Sequence, residues 1–403
     1  MPQDLPRTVL VYRDVLLPRS EIAFMHRQYC GFRALAPVWV GRRVEPWLDR
    51  EAFRLGPVFS GLSGVLFKTA GMVGQRRALG ALAPLCVHAQ FGRGGALALP
   101  LAEALGVPLF VTFHGSEVDK RSYWRRFPVP SLFRLRLARL QAYASAFVCV
   151  SEGVRERLLR RGFPAAKLVA IPIGTDAIAA HPAPAAGRAG ILFVGRFAPM
   201  KGLRVLAEAI GLLRARGCGE TFVLIGDGPE RAALAAGLAP LGGVELRGWQ
   251  SQDEVRRAMA AARALCVPSV ITASGESEGL PSVAAEALGL GLPVIASSEA
   301  RLEGVVEEGS SGMFFPARDA TALAARIEAM LALAPPAYAA MVEAAHAVAR
   351  ERLDARVQSA RLEALMLERA GPPPGGAAAR RPPRRPPRPI SPRSAPHPPV
   401  PER

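Results

Sequence analysis

The sequence contains little of what holds a disulfide-rich or membrane-spanning protein together. Only five cysteines occur among its 403 residues, and they lie far apart, without a Cys-x-x-Cys pair or a cluster with histidine. This argues against a disulfide framework and against a zinc site. No uninterrupted apolar run reaches the ~18 residues of a membrane-spanning helix, and the first residues lack the basic-then-apolar pattern of a signal peptide. We therefore expect a cytoplasmic protein.

Acidic residues are outnumbered by basic ones. The chain has 51 lysines and arginines against 34 aspartates and glutamates, for a net charge of +17. Part of this charge lies in residues 371–403, where seven arginines and one glutamate stand among prolines; such a composition predicts a disordered or extended tail. A basic chain favours an anionic partner, and composition does not choose between a nucleic acid, a membrane surface and a phosphorylated substrate.

Alternating strand and helix patterns predict two α/β domains. Short apolar segments separated by helical patterns fill the first half, a segment rich in proline, alanine and glycine follows, and the pattern starts again near residue 190. Parallel sheets covered on both faces produce this alternation, and the strand ends of two doubly wound domains meet at a cleft. We predict a Rossmann-like domain at 1–177, a linker at 178–189, a second Rossmann-like domain at 190–335, helices at 336–370 that can pack back across the domains, and the tail at 371–403.

The segment EGLPSVAAE at 278–286 combines two carboxylates with the start of a helix. We expect the helix to begin near Pro281 or Ser282, where its first backbone N–H groups can bind a phosphate. Glu286 lies about one turn into the helix and can accept hydrogen bonds from a vicinal diol such as that of ribose. Glu278, in the loop, can accept from hydroxyls on the other side of the phosphates. A ligand that combines a diol, a diphosphate and a second polyol is a nucleotide-sugar.

The segment GRFAPMKG at 195–202 supplies cations in the same domain. Arg196 offers a planar fork for phosphate oxygens, and Lys201 offers a point charge. Taken alone, each of these charges is usually a solvated surface group; their occurrence together with the carboxylate segment in one α/β domain favours a binding site. No Asp-x-Asp pattern follows a strand, so we expect the two cations to neutralise the diphosphate without a metal.

These segments resemble a known family. GRFAPMKGL together with PSVITASGESEGLPSVAAEALGLGLPVIAS is similar to the retaining glycosyltransferases that have an E-x7-E motif and two Rossmann-like domains facing a cleft, the GT-B architecture. Residues 87–118 and 148–176 resemble the branch of that family that builds exopolysaccharides of the colanic-acid type. The likeness runs from about residue 8 to about residue 335 and omits the tail.

The resemblance implies a role for each matching residue. By this resemblance, His114 and Glu278 would be the catalytic residues beside the transferred sugar, and Glu286 would bind the ribose. The donor diphosphate would be bound by Arg196, Lys201, Gly279, Leu280 and Pro281. A loop that meets the acceptor or donor would contain Ser20 and Glu21. The implied co-substrate is a UDP- or GDP-sugar, with no further cofactor and no metal. The implied acceptor is a glycan or a lipid-diphosphate-linked sugar, and the configuration at the anomeric carbon is retained.

The sequence departs from the family pattern in ways that leave the sugar undecided. Arg301 lies in a loop that is usually small and glycine-rich, and Gln90 stands where relatives often have a second histidine. Residues 120–140 alternate arginines with aromatic residues and leucines, which fits either a helix with a solvated basic face or docking on an anionic bilayer at the inner face of the plasma membrane. A sugar phosphorylase or nucleotide-sugar epimerase on the same fold, or a non-catalytic basic adaptor on membranes, are the alternative functions; no nucleic-acid-binding pattern is present.

Overall fold

Two parallel sheets of six strands each organise the chain into two α/β domains. The computed structural model describes residues 6–16, 22–46, 48, 53–125, 129–178, 181–182 and 184–370. No helix in these ranges has both the length and the apolar character needed to cross a bilayer. The predicted fold of two Rossmann-like domains is confirmed, and the tail from residue 371 lies outside the described part.

The first domain is built on a sheet with strand order β3-β1-β5-β6-β7-β8. Nearly every residue of its central strands is buried, as expected when helices cover both faces of a parallel sheet. A separate parallel pair joins β2 to β4. The strands are β1 Arg7–Tyr12, β2 Val15–Leu16, β3 Leu35–Val40, β4 Arg43–Val44, β5 Pro84–Gln90, β6 Leu109–Phe113, β7 Ala146–Cys149 and β8 Leu168–Ala170.

The first domain has eight helices among its described residues. Ser151 caps one of them, accepting a hydrogen bond from the backbone N–H of Val154, which satisfies a donor at the start of that helix. The basic segment 120–140 forms two helices, and the longer one buries Phe133, Leu137 and Leu140. The helices are α1 Ile22–Arg27, α2 Gly61–Ala70, α3 Arg76–Gly80, α4 Gly92–Leu105, α5 Ser116–Asp119, α6 Arg121–Trp124, α7 Leu132–Tyr143 and α8 Glu152–Arg160.

The second domain has the strand order β11-β10-β9-β12-β13-β14. The order reverses between β9 and β12, and such a switch point leaves a crevice at the carboxyl ends of the strands. Its strands are β9 Ile191–Val194, β10 Phe222–Ile225, β11 Val244–Gly248, β12 Ala264–Val267, β13 Val294–Ser297 and β14 Gly312–Phe315. Its helices are α9 Leu203–Ala215, α10 Arg231–Leu238, α11 Gln252–Ala261, α12 Ser282–Gly289 and α13 Ala320–Ala332.

Two C-terminal helices, α14 Pro335–Arg352 and α15 Ala355–Ala370, contact different domains. Helix α14 packs on the second domain, where the buried Tyr338 donates a hydrogen bond to the carbonyl oxygen of Arg263 at 2.8 Å. Helix α15 returns to the first domain, where the carboxylate of Glu363 accepts the backbone N–H groups of residues 33, 34 and 35 at 2.7 to 2.9 Å. Helices α14 and α15 therefore connect the two domains.

Candidate active site

Loops at the carboxyl ends of strands from both sheets surround a cavity of about 430 Å³. The second domain contributes the loops after β9 and β12, on the two sides of its switch point. The first domain contributes residues that follow β5, β6 and β7, including Phe91, His114 and Val150. Clefts of this size between two domains commonly hold small-molecule ligands.

A direct ion pair forms one wall of the cavity. Lys201 ends a short 3₁₀ turn after β9, and its Nζ lies 2.6 Å from Oε1 of Glu278, which also accepts a hydrogen bond from the Ser269 hydroxyl at 3.0 Å. Glycine at 202 allows this turn to approach the end of β12, since a Cβ there would lie 1.8 Å from the carbonyl oxygen of Pro268. The switch point thus brings the cation of one loop to the carboxylate of the next.

The loop that leads into α12 forms the adjoining wall. Gly279, Leu280, Pro281 and Ser282 all line the cavity, and the helix begins at Ser282, where the sequence predicts its start. Gly279 also touches the first domain, because a Cβ on it would lie 1.7 Å from the carbonyl oxygen of His114. The first backbone N–H groups of α12 therefore lie beside the Lys201–Glu278 pair, in a region where the two domains are in contact.

His114 faces the cavity from the first domain. It directly follows β6, its ring lies 4.3 Å from the ring of Phe91 between centroids, and its Nε2 lies 2.8 Å from Oε1 of Gln90. Burial, with smaller contributions from the charge of Arg13 and the neighbouring His88, lowers the pKa of His114 to about 3. The imidazole is therefore neutral at ordinary pH and can exchange hydrogen bonds without carrying charge.

Glu286 is paired across the domains. Its Oε1 accepts a hydrogen bond from Arg27 of α1 at 2.6 Å, and the Arg27 guanidinium, only 4% exposed, also lies 3.5 Å from Asp176. The Nε of Arg27 has no hydrogen-bond partner among the described residues. The glutamate predicted to hold ribose thus contacts an arginine in this structure, and its role in binding ribose stays a prediction.

The remaining predicted site residues are not gathered at the cavity. Arg196 follows β9 and is exposed, and it is not among the residues that line the cavity. Ser20 and Glu21 lie outside the described residues. Six predicted positions, His114, Lys201, Glu278, Gly279, Leu280 and Pro281, line one cavity. Their chemical roles stay predictions.

One buried arginine that sequence reasoning did not single out supports the site. The guanidinium of Arg157, on α8, donates to Asp119 at 2.6 Å, to the Ser277 hydroxyl at 2.9 Å and to the carbonyl oxygen of Glu278 at 3.3 Å. It therefore holds the Glu278 loop against the first domain. The sequence shows Arg157 only as one of several arginines on a basic helix, and its partners up to 121 positions away are not visible in any local pattern.

Comparison with known families identifies both domains. Residues 188–332 match the family Glycosyl transferases group 1, and residues 38–177 match Glycosyltransferase Family 4. The chain thus contains two regions that match glycosyltransferase domains. The match at residues 188–332 contains all six strands of the second sheet, and the match at residues 38–177 contains β5 to β8 of the first sheet, so each match includes residues that line the cavity.

Individual relatives agree with this assignment. The chain is 28% identical over 289 residues to the putative colanic acid biosynthesis glycosyltransferase WcaL of Escherichia coli, an alignment that spans 69% of each chain. It is 30% identical over 249 residues to the amylovoran biosynthesis glycosyltransferase AmsK of Erwinia amylovora, spanning 58% of each. The alignments thus span 58% to 69% of the length of these curated relatives.

Solved structures share the glycosyltransferase fold. Anabaena HepE in complex with UDP superposes with a TM-score of 0.71 at 18% identity, covering 88% of this chain and 98% of that one. Sucrose-phosphate synthase from Thermosynechococcus elongatus gives a TM-score of 0.68 at 20% identity, covering 89% and 98%. At such identities these similarities establish the fold alone.

Proposed function

We propose that the protein transfers a sugar from a UDP- or GDP-sugar to a glycan or lipid-linked acceptor, with retention of configuration and without a metal, in the biosynthesis of an exopolysaccharide. The relatives from Escherichia coli and Erwinia amylovora are named as colanic acid and amylovoran biosynthesis glycosyltransferases, which supports a role in exopolysaccharide biosynthesis. The Lys201–Glu278 pair beside the start of α12 is the observation that supports a nucleotide-sugar donor. The cation and the free N–H groups of the helix suit a diphosphate, and the carboxylate suits the polyol joined to it.

Donor binding would replace the internal ion pair. A diphosphate oxygen is a strong acceptor for the Lys201 ammonium, and the backbone N–H groups at the start of α12 favour the same anion. Once Lys201 has turned to the diphosphate, Glu278 is free to accept hydrogen bonds from sugar hydroxyls. The pair thus keeps both charges compensated while the cavity holds no donor.

Ribose binding would make a similar exchange at Glu286. Arg27 occupies one oxygen of this carboxylate at 2.6 Å. A vicinal diol that bound both oxygens would release Arg27 to Asp176, which lies 3.5 Å away. The first domain would then respond to the presence of a nucleotide in the second.

The transfer breaks the bond between the anomeric carbon and the diphosphate oxygen, and its electron pair leaves with the diphosphate. Lys201 and the start of α12 stabilise the charge that develops there. The acceptor hydroxyl forms the new bond on the same face of the sugar, and its proton passes to the leaving phosphate oxygen. Neutral His114 holds a hydroxyl of the substrate.

The decisive experiment mixes the purified protein with UDP- and GDP-sugars and with glycan or lipid-diphosphate-linked acceptors. We expect release of nucleoside diphosphate with one base, dependent on acceptor and unaffected by EDTA, and proton NMR of the product should show the donor's anomeric configuration. A folded protein that binds none of the common donors contradicts the donor class. An inverted product contradicts retention, and cleavage of a glycan that requires inorganic phosphate identifies a phosphorylase.

A further inference from the structure

A ring of buried polar side chains lies behind His114. It consists of Gln28, Tyr29, His88, Gln90 and Thr112, of which His88, Gln90 and Thr112 are fully buried and the other two nearly so. Strands β5 and β6 bring Gln90 and Thr112 side by side, and the end of α1 covers them. None of the steps proposed above uses these residues, yet a buried polar group must be satisfied by its neighbours.

The contacts of the ring form a closed circuit. Nε2 of Gln90 donates to Oε1 of Gln28 at 2.8 Å and to the Tyr29 hydroxyl at 2.6 Å. That hydroxyl lies 2.6 Å from Nδ1 of His88, whose Nε2 lies 2.7 Å from the Thr112 hydroxyl. Nε2 of Gln28 donates to the same Thr112 oxygen at 3.1 Å. The remaining polar atom of Gln90, its Oε1, faces Nε2 of His114 at 2.8 Å.

The direction of each hydrogen bond follows from the number of hydrogens available. Both amide hydrogens of Gln90 are used, and the Tyr29 oxygen accepts one of them, so the single Tyr29 hydrogen goes to Nδ1 of His88. His88 then carries its own hydrogen on Nε2 and donates it to Thr112. Because Oε1 of Gln90 is an acceptor, the His114 hydrogen must be on Nε2.

In the opposite arrangement, the oxygen and nitrogen of both glutamine amides exchange places. This arrangement is not possible while His88 is neutral. Oε1 of Gln90 would then need the Tyr29 hydrogen, and the oxygen of Gln28 would need the Thr112 hydrogen. Both nitrogens of His88 would consequently have to donate, which makes this residue an imidazolium. His88 is fully buried without a carboxylate among its hydrogen-bond partners, and burial lowers its pKa to about 3, so the charged form is strongly disfavoured.

We propose that Gln90 is a positioning residue that keeps the proton of His114 on Nε2 and leaves Nδ1 as an acceptor for a hydroxyl of the bound substrate. Nδ1 hydrogen-bonds no described residue, and His114 lines the cavity. The part of this proposal that concerns substrate rests on the proposed sugar transfer. The position of the proton does not, because the ring sets it in the protein alone.

Nitrogen-15 NMR of the histidine side chains tests the position of the proton without any donor. The chain contains six histidines, and the His114→Gln variant assigns the signal of residue 114. We expect the wild-type protein to show His114 with a directly bonded proton on Nε2 and an unprotonated Nδ1. A proton on Nδ1 in the wild type overturns the proposal, whatever the variants do.

Matched variants then test the part played by Gln90. Gln90→Met keeps the length of the side chain and removes the acceptor, so His114 should populate both tautomers, and kcat/KM should fall about tenfold. Gln141→Met makes the same exchange at a glutamine outside the ring, one that donates to the carbonyl oxygen of Gly162, so it should keep the Nε2 tautomer and stay within about twofold of wild-type activity. An unchanged tautomer in Gln90→Met overturns the role of Gln90. Should that variant not fold, Gln90→Glu, which retains an acceptor, must preserve the proton on Nε2, and a neutral His114 with its proton on Nδ1 in this variant contradicts the proposal.

Titration with the active nucleotide-sugar separates this inference from the proposed function. A shift of the His114 Nδ1 signal on donor or donor-plus-acceptor binding supports the proposal. Sugar transfer by a protein whose Nδ1 signal does not move under either condition overturns the acceptor role of His114 and leaves the proposed function intact. Failure of every donor to react contradicts the proposed function and is recognised separately, since the tautomer is measured in the protein without ligand.

Discussion

At the scale of single residues, two lysine–glutamate pairs of nearly equal length lie in different surroundings. Lys201 and Glu278 are 2.6 Å apart, with side chains 21% and 10% exposed, and they line the cavity. Lys120 and Glu276 are 2.7 Å apart, with side chains 38% and 39% exposed, and do not line it. Water screens an exposed pair and makes it weak. The first pair is therefore the one through which a charged ligand can be held.

The Lys201→Ala substitution should weaken donor binding. It removes a charge-assisted contact to the diphosphate, and such contacts contribute about 1.5–3 kcal/mol, so we expect KM for the donor to rise at least about tenfold. Lys120→Ala is the control, because it breaks a pair of the same chemistry away from the cavity, and its KM should be unchanged. Equal KM values for the two variants would remove Lys201 from the donor site.

Stability should fall on the acid side because of buried histidine. Burial lowers the pKa of His88 to about 3, whereas a histidine in the unfolded chain has a pKa near 6.5. Between these values the unfolded chain binds a proton that the folded protein does not. His114, whose pKa is also lowered to about 3, acts in the same direction. The free energy of unfolding should therefore decrease as the pH falls from about 6.5, by up to about 1.4 kcal/mol per pH unit for each of the two histidines.

Urea unfolding at several pH values from about 7 to about 4.5 measures this slope. His88→Gln should make the slope smaller even if it lowers stability at every pH, because one of the two titrating histidines is gone and His114 remains. His181→Gln is the control, since His181 is exposed and should leave the slope as it is. Identical slopes in the two variants would show that the acid sensitivity arises elsewhere.

At the scale of elements, one carboxylate of helix α15 makes several of the hydrogen bonds that attach this helix to the first domain. Glu363 accepts three consecutive backbone N–H groups, from Arg33, Ala34 and Leu35, at 2.7 to 2.9 Å. These groups precede and begin β3, the edge strand of the sheet. The Ser359 hydroxyl accepts a further N–H, from Gly31, at 2.9 Å. The helix therefore satisfies backbone donors that the sheet itself leaves unpaired.

Glu363→Gln should loosen this attachment with little change in shape. A neutral amide is a weaker acceptor than a carboxylate, and we expect a loss of about 1–3 kcal/mol. Hydrogen exchange at residues 33–35 should accelerate, and the midpoint of thermal unfolding should fall. Glu368→Gln changes an exposed glutamate of the same helix and should do neither; unchanged exchange at residues 33–35 in Glu363→Gln would contradict the attachment.

At the scale of the whole molecule, the two domains meet through glycines. A Cβ on Gly279 would lie 1.7 Å from the carbonyl oxygen of His114, and one on Gly115 would lie 2.1 Å from the Cα of Gly279. No side chain can occupy such a space, so this contact exists only because both residues lack one. It brings the His114 loop and the Glu278 loop together over the cavity.

Gly279→Ala should force the two loops apart. We expect kcat/KM to fall by more than about tenfold, because residues placed even slightly wrongly lose much of their catalytic effect, and small-angle scattering with donor present should show a larger radius of gyration than wild type. Gly211→Ala, on α9, adds a methyl group that meets nothing within 4 Å and should behave as wild type. Full activity in Gly279→Ala would mean that this contact is not part of the reacting state.

Local sequence determined the elements of this molecule and part of its site. Apolar strands alternating with helical patterns predicted the two parallel sheets, because both faces of such a sheet must be buried. The start of α12 followed from Pro281, since it depends on neighbouring residues only. Lys201 and Glu278 were predicted to share a site because each lies in a loop at a strand end of one α/β domain, where loops converge.

Tertiary structure alone decided which partner each of these groups has. Arg27 reaches Glu286 across 259 positions of sequence, and the backbone of Arg33 reaches Glu363 across 330. The tautomer of His114 depends on a ring drawn from α1, β5 and β6. Pairings of this kind depend on the order and register of strands, which no nearby residue specifies; the sequence by itself therefore determined which chemical groups the site contains, and the packing of the two domains determined what each of them binds.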